Sequence, residues 1–205
     1  MITSFASVRS TRARRKGVSS FRACLDLGAL CTVCQPENAP ADAFDLVVTD
    51  SQAFGKVKGR FRRLTSFSIL FARQKGDITA YKEGLARLGE LKDGDRVLIA
   101  EGCTHHRQCN DIGTVKIPKA LGKLTGKKLD FAFASGAAFD TQTPQHPNTQ
   151  TPARYALIVQ CGGCMLTRRE TLRRIGLAKA AGIPIVNYGM GLAKAAGVEV
   201  DSCVM

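Results

Sequence analysis

The stretch Tyr155-Ala-Leu-Ile-Val-Gln160-Cys161-Gly-Gly-Cys164-Met-Leu-Thr167-Arg-Arg-Glu170 holds three signals in sixteen residues. Tyr155–Gln160 is short, apolar and β-prone, bounded by Pro152 and two glycines, and so reads as a buried strand. Thr167 followed three residues later by Glu170 is a capping-box signature, and a helix is expected over 168–181. The cysteine pair then sits in a strand-to-helix loop at the carboxyl end of a strand, where open α/β sheets bind ligands. Gly162 and Gly163 let the backbone turn tightly and approach a bulky ligand. The helix N-terminus beyond them favours thiolate charge.

A single C-x-x-C is weak evidence, so further donors are needed. Cys103-Thr-His105-His106 follows a second strand-like run, Arg96–Ala100. If both strands lie in one parallel sheet, their carboxyl ends share an edge, and Cys103 can meet Cys161 and Cys164. Three cysteines and a variable fourth ligand suit an iron–sulfur cluster or a structural zinc. A third strand, Ile183–Asn187, ends on the same edge and brings Asn187, Tyr188 and Gly189 toward the site. Cys31-Thr-Val-Cys34 has similar spacing but lies in a strand-like run, where residues three apart point to opposite faces.

Outward from this site, strands and helices alternate. Strands are expected at 29–34, 44–48, 65–72, 96–100, 129–134, 155–160 and 183–187. Asp77 caps a helix running to about Lys92, and a short helix lies near 118–124. The pattern predicts an α/β fold of two small modules with largely parallel sheets flanked by helices. Asp93-Gly-Asp95 marks the boundary, giving modules at 18–93 and 94–205 behind a disordered basic extension, 1–17.

With 205 residues, eight cysteines and a net charge of +13, the chain reads as a globular protein of a reducing compartment. Six of those charges precede the first acidic residue, and Lys56, Lys58, Arg60, Arg62 and Arg63 form a second basic run. Aromatics interleave sparsely with that run, which favours a solvated face over nucleic-acid binding. No apolar run reaches membrane-spanning length.

Longer motifs carry a resemblance to a known family. Asp45-Leu-Val-Val-Thr-Asp-Ser-Gln-Ala-Phe54, Leu64-Thr-Ser-Phe-Ser-Ile-Leu-Phe-Ala-Arg73 and Lys75-Gly-Asp77 resemble the central domain of the FeFe-hydrogenase H-cluster maturation GTPase family, HydF. Leu98-Ile-Ala-Glu-Gly-Cys-Thr-His-His106, Asp111-Ile-Gly-Thr-Val-Lys-Ile-Pro118, Tyr155–Glu170 and Gly182-Ile-Pro-Ile-Val-Asn-Tyr-Gly189 resemble its C-terminal domain. The resemblance implies a cytoplasmic, homodimeric scaffold that carries a 4Fe-4S cluster and, transiently, a di-iron H-cluster precursor for apo FeFe-hydrogenase, working with other maturases. No nucleic-acid or membrane partner is implied.

The family's motif, C-x-H then H-C-x-x-C, implies Cys103, His105, Cys161 and Cys164 as metal-site residues, with Gly162, Gly163, Asn187, Tyr188 and Gly189 around the cofactor. Gln160 stands at the second histidine. The fourth ligand is therefore open among His105, a carboxylate, water and an exogenous ligand. The family's GTPase domain is not recognised in this chain, because Gly122–Lys128 is one residue short of a phosphate loop and ends in Lys. GTP binding and enzymatic turnover are accordingly not expected of this fragment. Two other classes remain: a zinc-stabilised interaction or nucleic-acid-binding module, and a thiol redox enzyme.

Overall fold

The computed structural model describes residues 4–8, 26, 28–35, 38–41, 43–102, 111–136, 139–140 and 154–203. It is an α/β structure with two four-stranded, wholly parallel sheets. The first contains β1 (Ser4–Val8), β2 (Leu30–Cys34), β3 (Leu46–Thr49) and β4 (Leu64–Ser66), in the order β2-β1-β3-β4. The second contains β5 (Arg96–Glu101), β6 (Asp130–Ser135), β7 (Leu157–Gln160) and β8 (Ile185–Asn187), in the order β6-β5-β7-β8. The two sheets therefore repeat one topology. In each, the chain leaves the first strand toward one side and the third strand toward the other. That divergence creates a crevice at the carboxyl ends of the two middle strands.

The repetition extends to the helices. β4 passes directly into α2 (Phe67–Lys75), which Ser66 caps by accepting the Ile69 N–H at 3.3 Å. β8 passes directly into α6 (Tyr188–Ala195), capped by Asn187, whose Oδ1 accepts the Gly189 N–H at 2.8 Å. The earlier α1 (Phe54–Val57) follows β3 through a short 3-10 turn. After α2 comes α3 (Ile78–Ala86), capped by Asp77 as its position predicts. α4 (Ile117–Thr125) connects β5 to β6, α5 (Arg168–Ala180) connects β7 to β8, and α7 (Val200–Cys203) ends the described chain.

Helices tie the two sheets together. α3, which follows α2 directly, packs on β8 of the second sheet, while α7, at the end of the described chain, packs on β4 of the first. The equivalent helices α2 and α6 pack against each other between them. At one crossing, a Cβ on Gly84 would meet the Ile185 carbonyl oxygen at 2.0 Å, so only glycine lets α3 lie that close. One hydrophobic core runs through both halves, joining Val47, Phe54 and Ile69 to Leu98, Ile158 and Met190.

Three expectations need correction. The run 65–72 is not a strand throughout: β4 stops at Ser66, whose cap starts a helix. Its apolar residues divide between the main core, with Ile69 and Ala72, and the small cluster on β3, with Phe67, Leu70 and Phe71, so neither a two-residue nor a 3.6-residue period is visible there. Ser4–Val8, expected to be disordered, is instead the strand to which β2 and β3 both pair. Five residues beside a run of arginines are too few to stand out from that run's composition. The helix after Asp77 is α-helical only to Ala86 and continues as a 3-10 turn over Arg87–Glu90. Residues 9–25, including Cys24, and most of 137–153 lie outside the described residues.

Cys31 and Cys34 occupy β2 as expected of residues three apart. Cys31 packs on the small cluster of Leu46, Val48 and Phe67, whereas Cys34 packs on the main core, where burial raises its thiol pKa.

Candidate metal centre

A cavity of about 130 Å³ lies where the carboxyl ends of the two sheets meet. Cys161, Gly162, Gly163 and Cys164 wall it from the loop after β7, and Asp50 and Ser51 from the matching point after β3. The helices contribute matching positions as well. Phe67 and Phe71 are the first and fifth residues of α2, and Tyr188 and Leu192 the first and fifth of α6; all four face the cavity. Glu101, Asp111 and Ile112 complete the polar and apolar parts of the wall.

The cysteine loop is held from three directions. The Gly102 N–H, at the end of β5, donates to Cys161 Sγ at 3.0 Å, and the Cys161 N–H donates to the Ala100 carbonyl at 2.9 Å. Gly163 adopts a left-handed conformation, φ +64°, and its carbonyl accepts the Leu166 N–H at 3.0 Å. That turn is open to glycine at no steric cost. Lys75, the last residue of α2, donates to the carbonyls of Gly163, Cys164 and Leu166 at 3.2, 3.2 and 2.9 Å. Gly162 lies so close to Ser68 that a Cβ would stand 3.0 Å from its hydroxyl oxygen.

Behind the loop, α5 begins as the Thr167 signal predicts, with Thr167 Oγ1 accepting the Glu170 N–H at 3.2 Å. The reciprocal half of the box does not form. Glu170 turns instead to Arg173 and Arg174, and their hydrogen bonds hold its carboxyl down at a pKa of about 2. Arg174 is 1% exposed. Its guanidinium stacks on Phe139 and donates to the carbonyls of Glu101 and Gly136, the residues that close β5 and follow β6. It thereby ties the start of α5 to the strand end that supplies the Gly102 N–H.

The structure brings Cys161, Gly162, Gly163, Cys164 and Tyr188 around one cavity. Asn187 and Gly189 stand one bond behind: Ser68 Oγ donates to Asn187 Oδ1 at 3.0 Å and accepts the Gly189 N–H at 3.1 Å. Cys103 and His105, with His106 and Cys109, lie outside the described residues. Among the described residues, no three His, Cys, Asp or Glu side chains form a group able to hold a metal ion. Cys161 and Cys164 are both reduced, in no disulfide, and the donor pair is chemically suited to iron–sulfur or zinc binding. Gln160 is fully buried, and among the described residues neither of its amide atoms has a hydrogen-bond partner. Sequence reading quoted Asp50, Ser51, Ser68 and Lys75 within the family motifs but assigned none of them to the site, because their convergence there follows from the repeated strand order, which no local pattern displays.

Fold and site together define a two-module α/β protein with a thiol-bearing cavity between its halves. Two family models match: the hydrogen maturase F dimerization domain over residues 12–76, and the hydrogen maturase F tetramerization domain over residues 79–203. The chain belongs to the hydrogen maturase F, or HydF, family. The matched ranges meet where α2 gives way to α3, and neither model is of a nucleotide-binding domain. No curated protein matches the chain. Among the described residues, no helix is long and apolar enough to cross a membrane.

Proposed function

We propose that this chain is a cytoplasmic scaffold or carrier in FeFe-hydrogenase maturation. In this reading it binds a 4Fe-4S cluster and hands a di-iron precursor to apo-hydrogenase. The observation that carries it is the placement of Cys161 and Cys164 at a topological switch point, facing a cavity walled by both modules. Cys161, Cys164 and Cys103 would hold iron, with His105 a candidate for the remaining position. When bound, such a cluster supplies an iron site open to exchange.

The chain's own residues present and tune the thiols. The Gly102 N–H stabilises negative charge on Cys161 Sγ, as N–H donors to cluster sulfurs do. Phe67, Phe71, Ile112 and Leu192 keep much of the cavity wall apolar and limit water. The role is coordination and transfer, with GTP hydrolysis assigned elsewhere in the family. Residues 18–93 serve homo-oligomer formation and 94–205 the cluster. β2 is one edge of the first sheet and exposes Leu30 and Val33, a template for strand pairing.

Anaerobic reconstitution with iron and sulfide, followed by metal analysis and electron paramagnetic resonance, tests this reading. A reducible cluster in the wild type that is lost in Cys161→Ser is expected. Stoichiometric zinc with no reconstitutable cluster would overturn it and favour the zinc module.

A further inference from the structure

Lys75 belongs to the first module, yet all three of its hydrogen bonds end on the cysteine loop of the second. Its Nζ donates to the carbonyls of Gly163, Cys164 and Leu166, 88 to 91 positions away in sequence. An ammonium has three protons, so its donor capacity is used entirely on this loop. The same nitrogen lies 5.0 Å from the centroid of the Phe71 ring, which faces the cavity. Beside it, Arg168 Nη1 donates to the Gln74 carbonyl at 3.4 Å, a second link between α2 and the start of α5.

A lysine at a helix C-terminus ordinarily serves the carbonyls of its own last turn. Here it leaves them and converges on another segment. Within that segment, the bond from Leu166 N–H to the Gly163 carbonyl is the local backbone tie. The loop's shape thus depends on a cation delivered by the other half of the molecule.

We infer that Lys75 is a positioning residue for the thiol pair: it fixes the Cys161–Cys164 loop and keeps a positive charge beside it. The first half of this inference concerns the metal-free chain. The second rests on the proposed cluster. A fixed cation near an iron–sulfur centre favours its more negative, reduced state, so its presence raises the midpoint potential.

The test compares the full chain with Lys75→Met and Lys75→Arg. In metal-free protein, hydrogen exchange at the Leu166 amide is expected to quicken severalfold in Lys75→Met, with β5 and β7 exchanging as in wild type. In reconstituted protein, the midpoint potential of that variant is expected to fall below wild type. Loop exchange equal to wild type overturns the positioning role. Faster exchange spread equally over the strands overturns it too, because that reports global destabilisation. A potential equal to wild type overturns the electrostatic half. Should Lys75→Met fail to fold, Lys75→Arg decides. Its planar guanidinium keeps the charge but cannot aim three donors from one point at three carbonyls. Faster loop exchange then supports the inference, and wild-type loop exchange overturns it. If wild type assembles no cluster, the proposed function fails while the exchange result still judges Lys75.

Discussion

At the scale of single residues, Glu170 shows how a motif can be read correctly in part. Thr167 and the spacing to Glu170 announced a helix start, and the cap forms. What the spacing did not disclose is that Arg174 would be buried and would share the carboxylate with Arg173. Burial of an arginine depends on Phe139 and on two strand-end carbonyls, all distant in sequence. The pairing has a pH signature. The carboxyl's pKa is about 2 in the folded chain and near the ordinary value of about 4.3 when unfolded. Its contribution is therefore present above the unfolded value and is lost as pH falls through about 4 toward 2. Glu170→Gln should lower stability by about 1–3 kcal/mol at pH 7, measured by urea unfolding. That difference should shrink steadily as pH falls below about 4, and vanish only below the folded value of about 2. A deficit independent of pH would mean the carboxylate's charge does not matter.

At the scale of elements, glycines separate what propensity predicts from what packing requires. Gly84 in α3 and Gly176 in α5 are both helical, and each would gain about 1 kcal/mol from alanine on propensity alone. A Cβ at Gly176 meets nothing within 4 Å, whereas one at Gly84 would strike the Ile185 backbone. Gly176→Ala should accordingly stabilise by about 0.5–1 kcal/mol. Gly84→Ala should destabilise by about 1–3 kcal/mol, since overpacking outweighs propensity. Thermal melts of the two variants measure both signs, and equal shifts would refute the close approach of α3 to β8. The same element scale explains why β5 and β7 were legible and β4 was not. Val97–Ala100 and Leu157–Val159 are fully buried runs flanked by glycine or proline signals. Leu64–Ala72 has no such break, and only the Ser66 hydroxyl marks the change from strand to helix.

At the scale of the molecule, alternation of strands and helices was enough to give the fold class, because parallel sheets need crossover helices. The repeat of the two sheets was not visible in that alternation. It lies in the order of strands, which follows from long-range pairing. The cysteine loop was likewise legible as a strand-to-helix turn, while its opposite wall, Asp50 and Ser51, became visible only through the repeat. The packing of α7 on β4 and of α2 against α6 ties the halves together. Expressed separately as residues 1–76 and 77–205, the first should lack α7, the helix that covers its fourth strand, and each should lose the contact between α2 and α6. Residues 1–76 are not expected to give a cooperative melt alone, and co-expression should restore one. Two independently folded halves would refute a single shared core.

The helices packed across the two halves also decide how a ligand can come and go. A receptacle formed by two hinged lobes releases its contents by swinging apart. Here, parting the sheets would strip α2 from α6 and α7 from β4 in the same movement. The molecule is laced like a buckle rather than jointed like a jaw. Traffic through the cavity must therefore pass by its rim, with the receiving surface brought to the opening while the frame stays shut.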